Sequence, residues 1–194
     1  MSFDPHALWN AERDEHLDVT KKTFDSLESE FAQLVDLCTT AIKNGNKIMF
    51  FGNGGSASDA QHLATELTIR FKDDRAPIAG LALTTDTSAL TAAGNDYGFD
   101  YIFSRQLEAL GNEGDVAIGL STSGNSPNVI NALKSAKEKG VSTVGFSGKD
   151  GGKMSEACDL LLVVPSNTTA RIQEMHITIG HMLCAALEQN LNLV

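Results

Sequence analysis

The spacing of apolar residues along the chain changes character twice. Up to Asn44 they recur at three- and four-residue steps, with Phe24, Leu27, Phe31, Leu34, Cys38 and Ile42 on one stripe, which predicts helix over 4–44. Asp4-Pro5 supplies an N-cap followed by proline in the first turn, and Asn44-Gly45 supplies the stop. Short, continuous apolar runs then predict strands at 47–51, 78–83, 116–120, 143–147 and 160–164. Helical stretches near 56–71, 99–110 and 127–139, and a shorter one after Gly152, alternate with them. Strands apolar on both faces in a βαβ rhythm imply a mostly parallel sheet covered by helices on both sides. The final segment, 168–191, carries Ile172, Met175, Ile179, Met182 and Ala186 on one stripe with Leu183 and Leu187 beside it. Such terminal helices hold more apolar surface than one side of a small sheet covers, which predicts a multi-subunit helical bundle.

The expected fold is therefore α/β: a doubly wound, mostly parallel five-stranded sheet flanked by helices, its long N- and C-terminal helices forming an oligomeric bundle. One domain spans 1–194, made of a helical segment 1–45, an α/β core 46–166 and a C-terminal helix 167–194. A chain of 194 residues with 42% hydrophobic and 21% charged residues can bury one sizeable core. The net charge of −10 argues against nucleic acid as a partner, because backbone binding needs clustered Lys and Arg. Met1-Ser2-Phe3-Asp4-Pro5 runs into charged residues rather than an apolar leader, and no apolar stretch approaches a membrane span, so a cytoplasmic protein without membrane contact is expected. Cys38, Cys158 and Cys184 are odd in number and flanked by apolar residues, which predicts reduced core thiols.

Two Gly/Ser-rich loops carry the first chemical signal. Gly52-Asn53-Gly54-Gly55-Ser56 and Ser121-Thr122-Ser123-Gly124-Asn125-Ser126 each stand between a predicted strand and a predicted helix. Glycine exposes backbone N–H groups, hydroxyls add donors, and a helix N-terminus favours negative charge, so a phosphorylated ligand is expected. With so acidic a chain, such dipoles and hydroxyls must do what basic side chains do elsewhere. Ser126 before Pro127 also suits a helix cap, and Ser56 and Ser58 have the same capping alternative. Gly52-x-Gly54-x-x-Ala57 fits a dinucleotide fingerprint as well, but Asp73 and Asp74 precede the second strand and Asp86 follows it too late for the ribose acid. No Gly-Lys-Ser/Thr follows, which excludes a P-loop.

The second signal is His62 and Glu66, four apart and so on one helical face, a spacing that suits a divalent metal or an acid/base pair. Gln173, His176 and His181 are polar positions in a largely apolar C-terminal helix and need partners there, His176 reading as structural. Gln173 and His181 are separated by about 80° around and about 12 Å along an ideal helix. One ion reaches both only through stretched side chains or with ligands from two subunits, and the second case predicts an active site shared between chains.

The strings Gly52-Asn53-Gly54-Gly55-Ser56-Ala57, Gly94-Asn95-Asp96-Tyr97-Gly98-Phe99, Ser121-Thr122-Ser123-Gly124-Asn125-Ser126, Gly148-Lys149-Asp150-Gly151-Gly152 and Arg171-Ile172-Gln173-Glu174-Met175-His176 together resemble the phosphoheptose isomerase family of sugar-isomerase (SIS) domain proteins, over essentially the whole chain. The resemblance implies a SIS-type fold, a homotetramer with a helical core, and conversion of sedoheptulose 7-phosphate to D-glycero-D-manno-heptose 7-phosphate for bacterial lipopolysaccharide core. It implies one Zn2+ per subunit held by His62, Glu66, Gln173 and His181, with Glu66 and His181 as the catalytic acid/base pair. The matching substrate positions are Asn53, Gly54, Gly55, Asn95, Asp96, Ser121, Thr122, Ser123, Ser126 and Gln173. Some members have an acidic residue where this chain has Ala170, so no role is carried over there. A scaffold relative, the DnaA initiator-associating protein, resembles the same loops but lacks the metal-site carboxylate and the final histidine, both present here as Glu66 and His181. Aldose–ketose exchange requires a base moving a proton between C1 and C2 and a group stabilising the oxyanion; Glu66 and His181 match these roles, with enediolate and hydride-shift routes both open.

Overall fold

A computed structural model of the chain describes residues 3–194; Met1 and Ser2, the start of the sequence that argues against a leader, lie outside the described residues. The predicted N-terminal helix is two helices, α1 (Pro5–Ser26) and α2 (Glu28–Lys43). Asp4 caps α1 by accepting from the backbone of His6 and Ala7, and Gly45, at φ 81°, follows the end of α2. Leu27 leaves helical geometry at the junction while its side chain enters the core. A leucine at a stripe position fits both a straight helix and this break, so the hydrophobic period alone did not separate them. Of that stripe, Leu27, Leu34 and Cys38 are buried, Phe31 and Ile42 pack at the edge, and Phe24 is exposed.

Five strands follow: β1 (Ile48–Gly52), β2 (Gly80–Ala82), β3 (Val116–Leu120), β4 (Ser142–Gly148) and β5 (Leu160–Val164). They form one parallel sheet in the order β2-β1-β3-β4-β5. Alternate residues feed two cores: Ile48, Phe50, Ile118 and Phe146 pack under α2, α3 (Gly55–Thr68) and α7 (Thr169–Asn190), whereas Met49, Phe51 and Ala117 pack under α5 (Ser104–Leu110) and α6 (Pro127–Glu138). β2 is shorter than its apolar run because only Gly80, Leu81 and Ala82 pair with β1; Ile78 bonds instead to the carbonyl of Leu67. The helix α4 (Thr87–Asp96) has no counterpart in the predicted elements. It is built of small residues and buries only Ala93, so it carries no readable apolar stripe.

Cys38 and Cys184 lie in the core and Cys158 is half-buried, all as free thiols. Burial pushes the Cys184 thiol up to about 12 and that of Cys158 to about 11, so neither is a thiolate near neutrality. Among the described residues no helix is long and apolar enough to cross a membrane.

Candidate active site

The chain runs from β1 outward to β2 and then returns to β3 on the other side, so the strand order reverses between β1 and β3. Open parallel sheets bind ligands in the crevice at such a point, beyond the strand C-termini. Both Gly/Ser loops start there, because Gly52, closing β1, is paired with Leu120, closing β3. A side chain at Gly52 would stand 2.8 Å from the Leu120 carbonyl oxygen, so this residue type sets how closely the loops approach. Gly54, with φ 57°, is the N-cap of α3, in a conformation that L side chains rarely adopt.

The loops are joined by side chains. Asn53 and Asn128 exchange two amide hydrogen bonds of 2.9 Å each, binding the first loop to the start of α6. In the second loop Ser121 Oγ lies 2.9 Å from Ser126 Oγ and 3.5 Å from Ser123 Oγ. The capping alternative for Ser126 is thereby corrected: it stands at the N-cap of α6 but its side chain caps nothing, facing the loop interior instead. Ser56, likewise, is a buried residue inside α3, whose N-cap is Gly54. Thr122 is half-buried on the same loop. Asn95 and Asp96 are exposed at the end of α4 and hydrogen-bond to each other at 2.8 Å, with no hydrogen bond to either loop. The dinucleotide alternative loses its acidic residue, since the Asp86 carboxylate accepts from Ala89 N and caps α4.

One helix links the loops to the titratable groups. α3 starts in the first cradle and presents Asp59, His62 and Glu66 toward α7, where Gln173 and His181 stand. His62 Nε2 is 2.9 Å from His181 Nε2 and 3.3 Å from Glu66 Oε1. The crossing is allowed by Gly180: a Cβ there would lie 2.5 Å from Leu63 Cδ2, so glycine lets α7 rest against Leu63 beside both histidines. Phe71 stacks on the His181 ring with centroids 5.5 Å apart. Burial lowers the pKa of His181 and the neighbouring His62 lowers it further, against the opposing pull of Glu66 and Asp59. His181 is therefore neutral at neutral pH.

Within the single chain Glu66 and His181 both stand against His62. Gln173 stays apart from that cluster: its amide packs on Gly55 and its Nε2 donates to Asp59 Oδ1 at 3.5 Å. Asp59 itself is buried, its Oδ2 has no hydrogen-bond partner, and burial raises its pKa against the lowering effect of Gln173, His62 and His181. Sequence reading missed Asp59, although a carboxylate one turn before His62 lies on the same helical face. It missed Asn128 and Gly180 too, whose meaning depends on partners distant in sequence. Arg171, in the C-terminal motif, docks α1 by donating to the Glu12 carbonyl at 2.9 Å. His176 is structural as expected: it is fully buried with Nε2 3.0 Å from the Ser147 carbonyl.

Among the described residues no three His, Cys, Asp or Glu side chains form a closed metal-ligand group. His62 is the pivot of the arrangement, touching both Glu66 and His181 while no hydrogen bond or ion pair joins those two. Two imidazole nitrogens facing each other beside a carboxylate nevertheless make a donor set that suits Zn2+, and the buried Asp59 Oδ2, with no hydrogen-bond partner, lies on the same helix as His62.

A family model described as SIS domain matches residues 13–148. The phosphoheptose isomerase of Paramagnetospirillum magneticum is 57% identical over 174 residues, covering 90% of this chain and 91% of its own. That of Aliarcobacter butzleri is 54% identical over 177 residues, covering 91% and 94%. The solved structure of phosphoheptose isomerase from Neisseria gonorrhoeae superposes with a TM-score of 0.90 at 44% identity, covering 96% of this chain and 100% of that one. By its paired loops, its parallel sheet and its similarity over nearly its whole length, the chain belongs to the phosphoheptose isomerase family of SIS-domain proteins.

Proposed function

We propose that the protein converts sedoheptulose 7-phosphate to D-glycero-D-manno-heptose 7-phosphate, an aldose–ketose isomerisation at the start of ADP-heptose and lipopolysaccharide core synthesis, acting in the cytoplasm as a homotetramer. The observation that carries this reading is α3, which begins at a phosphate-type cradle and delivers His62 and Glu66 to His181. From the first residue of α3 to His62 is about 10 Å of helix rise, a length comparable to an extended seven-carbon sugar phosphate. The phosphate is held by the hydroxyls of Ser121, Thr122, Ser123 and Ser126 with the backbone of Gly54 and Gly55, and Asn53, Asn95, Asp96 and Gln173 bind the sugar chain. Glu66 moves the proton between C1 and C2. Neutral His181 exchanges a ring proton with the carbonyl oxygen as charge develops there. His62, Glu66 and His181 would hold one Zn2+ per subunit, with Gln173 as fourth ligand on the family resemblance alone, and the ion would supply polarisation of the carbonyl as a Lewis acid.

Exposed Leu8, Trp9, Leu17 and Phe24 on the N-terminal helix support self-association, as does the apolar groove where Phe24 and Phe31 face Met175, Ile179 and Met182. The test is to incubate purified, zinc-supplemented protein with sedoheptulose 7-phosphate and follow the aldose by NMR, with unphosphorylated sedoheptulose as control. Formation of the aldose from the phosphate ester alone supports the assignment; a folded protein that binds phosphosugar and never turns it over supports the scaffold reading.

A further inference from the structure

We propose that Arg75 and Glu188 are positioning residues whose buried ion pair fixes the helix carrying Glu66 against the helix carrying His181. The kinetic part of this inference rests on the isomerase reading; its spectroscopic part does not. Both side chains are removed from solvent, at 0% and 2% exposure, with Arg75 Nε 2.9 Å from Glu188 Oε1. Burial this complete demands a partner for every polar atom.

Where those partners lie gives the pair its role. Arg75 Nη2 donates to the carbonyl of Glu66 at 2.7 Å, and Nη1 donates to the carbonyls of Leu67 at 2.8 Å and Ala76 at 3.1 Å. The last carbonyls of a helix have no intrahelical partner, and a cation there complements the helix dipole. Arg75 thus caps the last turn of α3 at the carbonyls of Glu66 and Leu67. Glu188 Oε1 also accepts from Phe71 N at 3.1 Å, and the ring of Phe71 is the one stacked on His181. Glu188 follows His181 by seven positions, two turns along the same stripe of α7. One guanidinium and one carboxylate therefore connect the backbone of Glu66, the residue packed on His181, and α7. A planar fork addressing four acceptors together is a task an ammonium cannot take over.

The pair of half-buried Lys47 and buried Asp115 provides the contrast. Asp115 is 1% exposed, yet this pair sits at the N-terminal ends of β1 and β3 and bonds to Asn46 and Asn112, with no link to the site. The test compares Arg75→Lys and Glu188→Gln with Lys47→Met in the full-length protein. Melting temperature, kcat and KM for sedoheptulose 7-phosphate, and the NMR shifts of the His181 ring protons, assigned with His181→Asn, are measured for each.

The expected result is a kcat lower by about 10- to 100-fold in both clamp variants, with KM changed by no more than about threefold because the cradles lie at the other end of α3. The His181 resonances should move as Phe71 shifts, whereas Lys47→Met should lower the melting temperature and leave kcat and those resonances in place. Should Glu188→Gln not fold, Glu188→Asp carries the same readouts. Unchanged kcat and unchanged His181 shifts in less stable clamp variants would overturn the proposal, as would an equal kcat loss in Lys47→Met. A wild-type protein with no isomerase activity would remove the isomerase reading, and the His181 shifts would still decide the positioning role.

Discussion

His62 and His181 are 119 residues apart in sequence and place their Nε2 atoms 2.9 Å from each other. A hydrogen bond between two imidazoles needs one donor and one acceptor, so at least one ring is neutral. Burial and His62 both push His181 toward that form. The pair stands within reach of Glu66, 3.3 Å from His62, and this carboxylate–imidazole grouping is the proposed reactive centre.

Glu66→Gln and His181→Asn should each leave a folded protein and lower kcat by at least about 100-fold, the scale of losing a general acid or base. If the His62 cluster of one chain forms a complete site, mixing the two inactive variants under subunit exchange should restore no activity. Recovered turnover in hybrids verified by native mass spectrometry would place Glu66 and His181 of one site on different chains.

The hydroxyl loop makes a separate prediction. Ser121 and Ser126 bond to each other and Ser123 Oγ accepts from Asn125 N, so these hydroxyls are available to an anion without dismantling a helix cap. Replacing Ser121 and Ser123 together by Ala should raise KM at least about tenfold for the phosphorylated substrate while stability falls by about 1 kcal/mol. Calorimetry showing unchanged affinity would return the loop to a structural role.

Gly180→Ala tests how the histidines come to meet. The added methyl would sit 2.5 Å from the fully buried Leu63, forcing α3 and α7 apart. A stability loss of about 1–3 kcal/mol is expected from such overpacking, with reduced activity. Adding Leu63→Ala should recover part of the activity; a double variant no better than Gly180→Ala would show that this contact does not govern the site.

His176 gives a pH dependence of stability. Burial lowers its pKa from 6.5 to about 4, with the Ser147 carbonyl opposing the shift. The unfolded chain takes up this proton near pH 6.5 while the native state resists it. The contribution is thus complete above pH 6.5 and is lost as pH falls toward 4, about 3 kcal/mol in all. Chemical denaturation across this range should show a shallower decline for His176→Gln than for the wild type, and parallel curves would refute the linkage.

Much of this was legible in the residues themselves. Strands buried on both faces announce themselves as apolar runs, which is why β3 and β5 match their predicted limits. α4 was invisible because Ser88, Ala89, Thr91 and Ala92 leave no apolar stripe, and the break at Leu27 because its side chain suits either geometry. His62 and Glu66 were readable as a one-turn pair on one helix. Their meeting with His181 was not, since it depends on how Gly180 packs on Leu63 across the fold. Asn95, Asp96 and the ligand role of Gln173 came from resemblance alone, and no hydrogen bond ties Asn95 or Asp96 to the cluster.

The most direct measurement is the isomerisation of sedoheptulose 7-phosphate in D2O, followed by NMR for wild type and Glu66→Gln. The wild type should form D-glycero-D-manno-heptose 7-phosphate carrying deuterium at C2, because Glu66 exchanges its proton with solvent during transfer, and Glu66→Gln should form almost none. A wild-type protein that produces no aldose, or a Glu66→Gln variant that produces it at the wild-type rate, would contradict this mechanism.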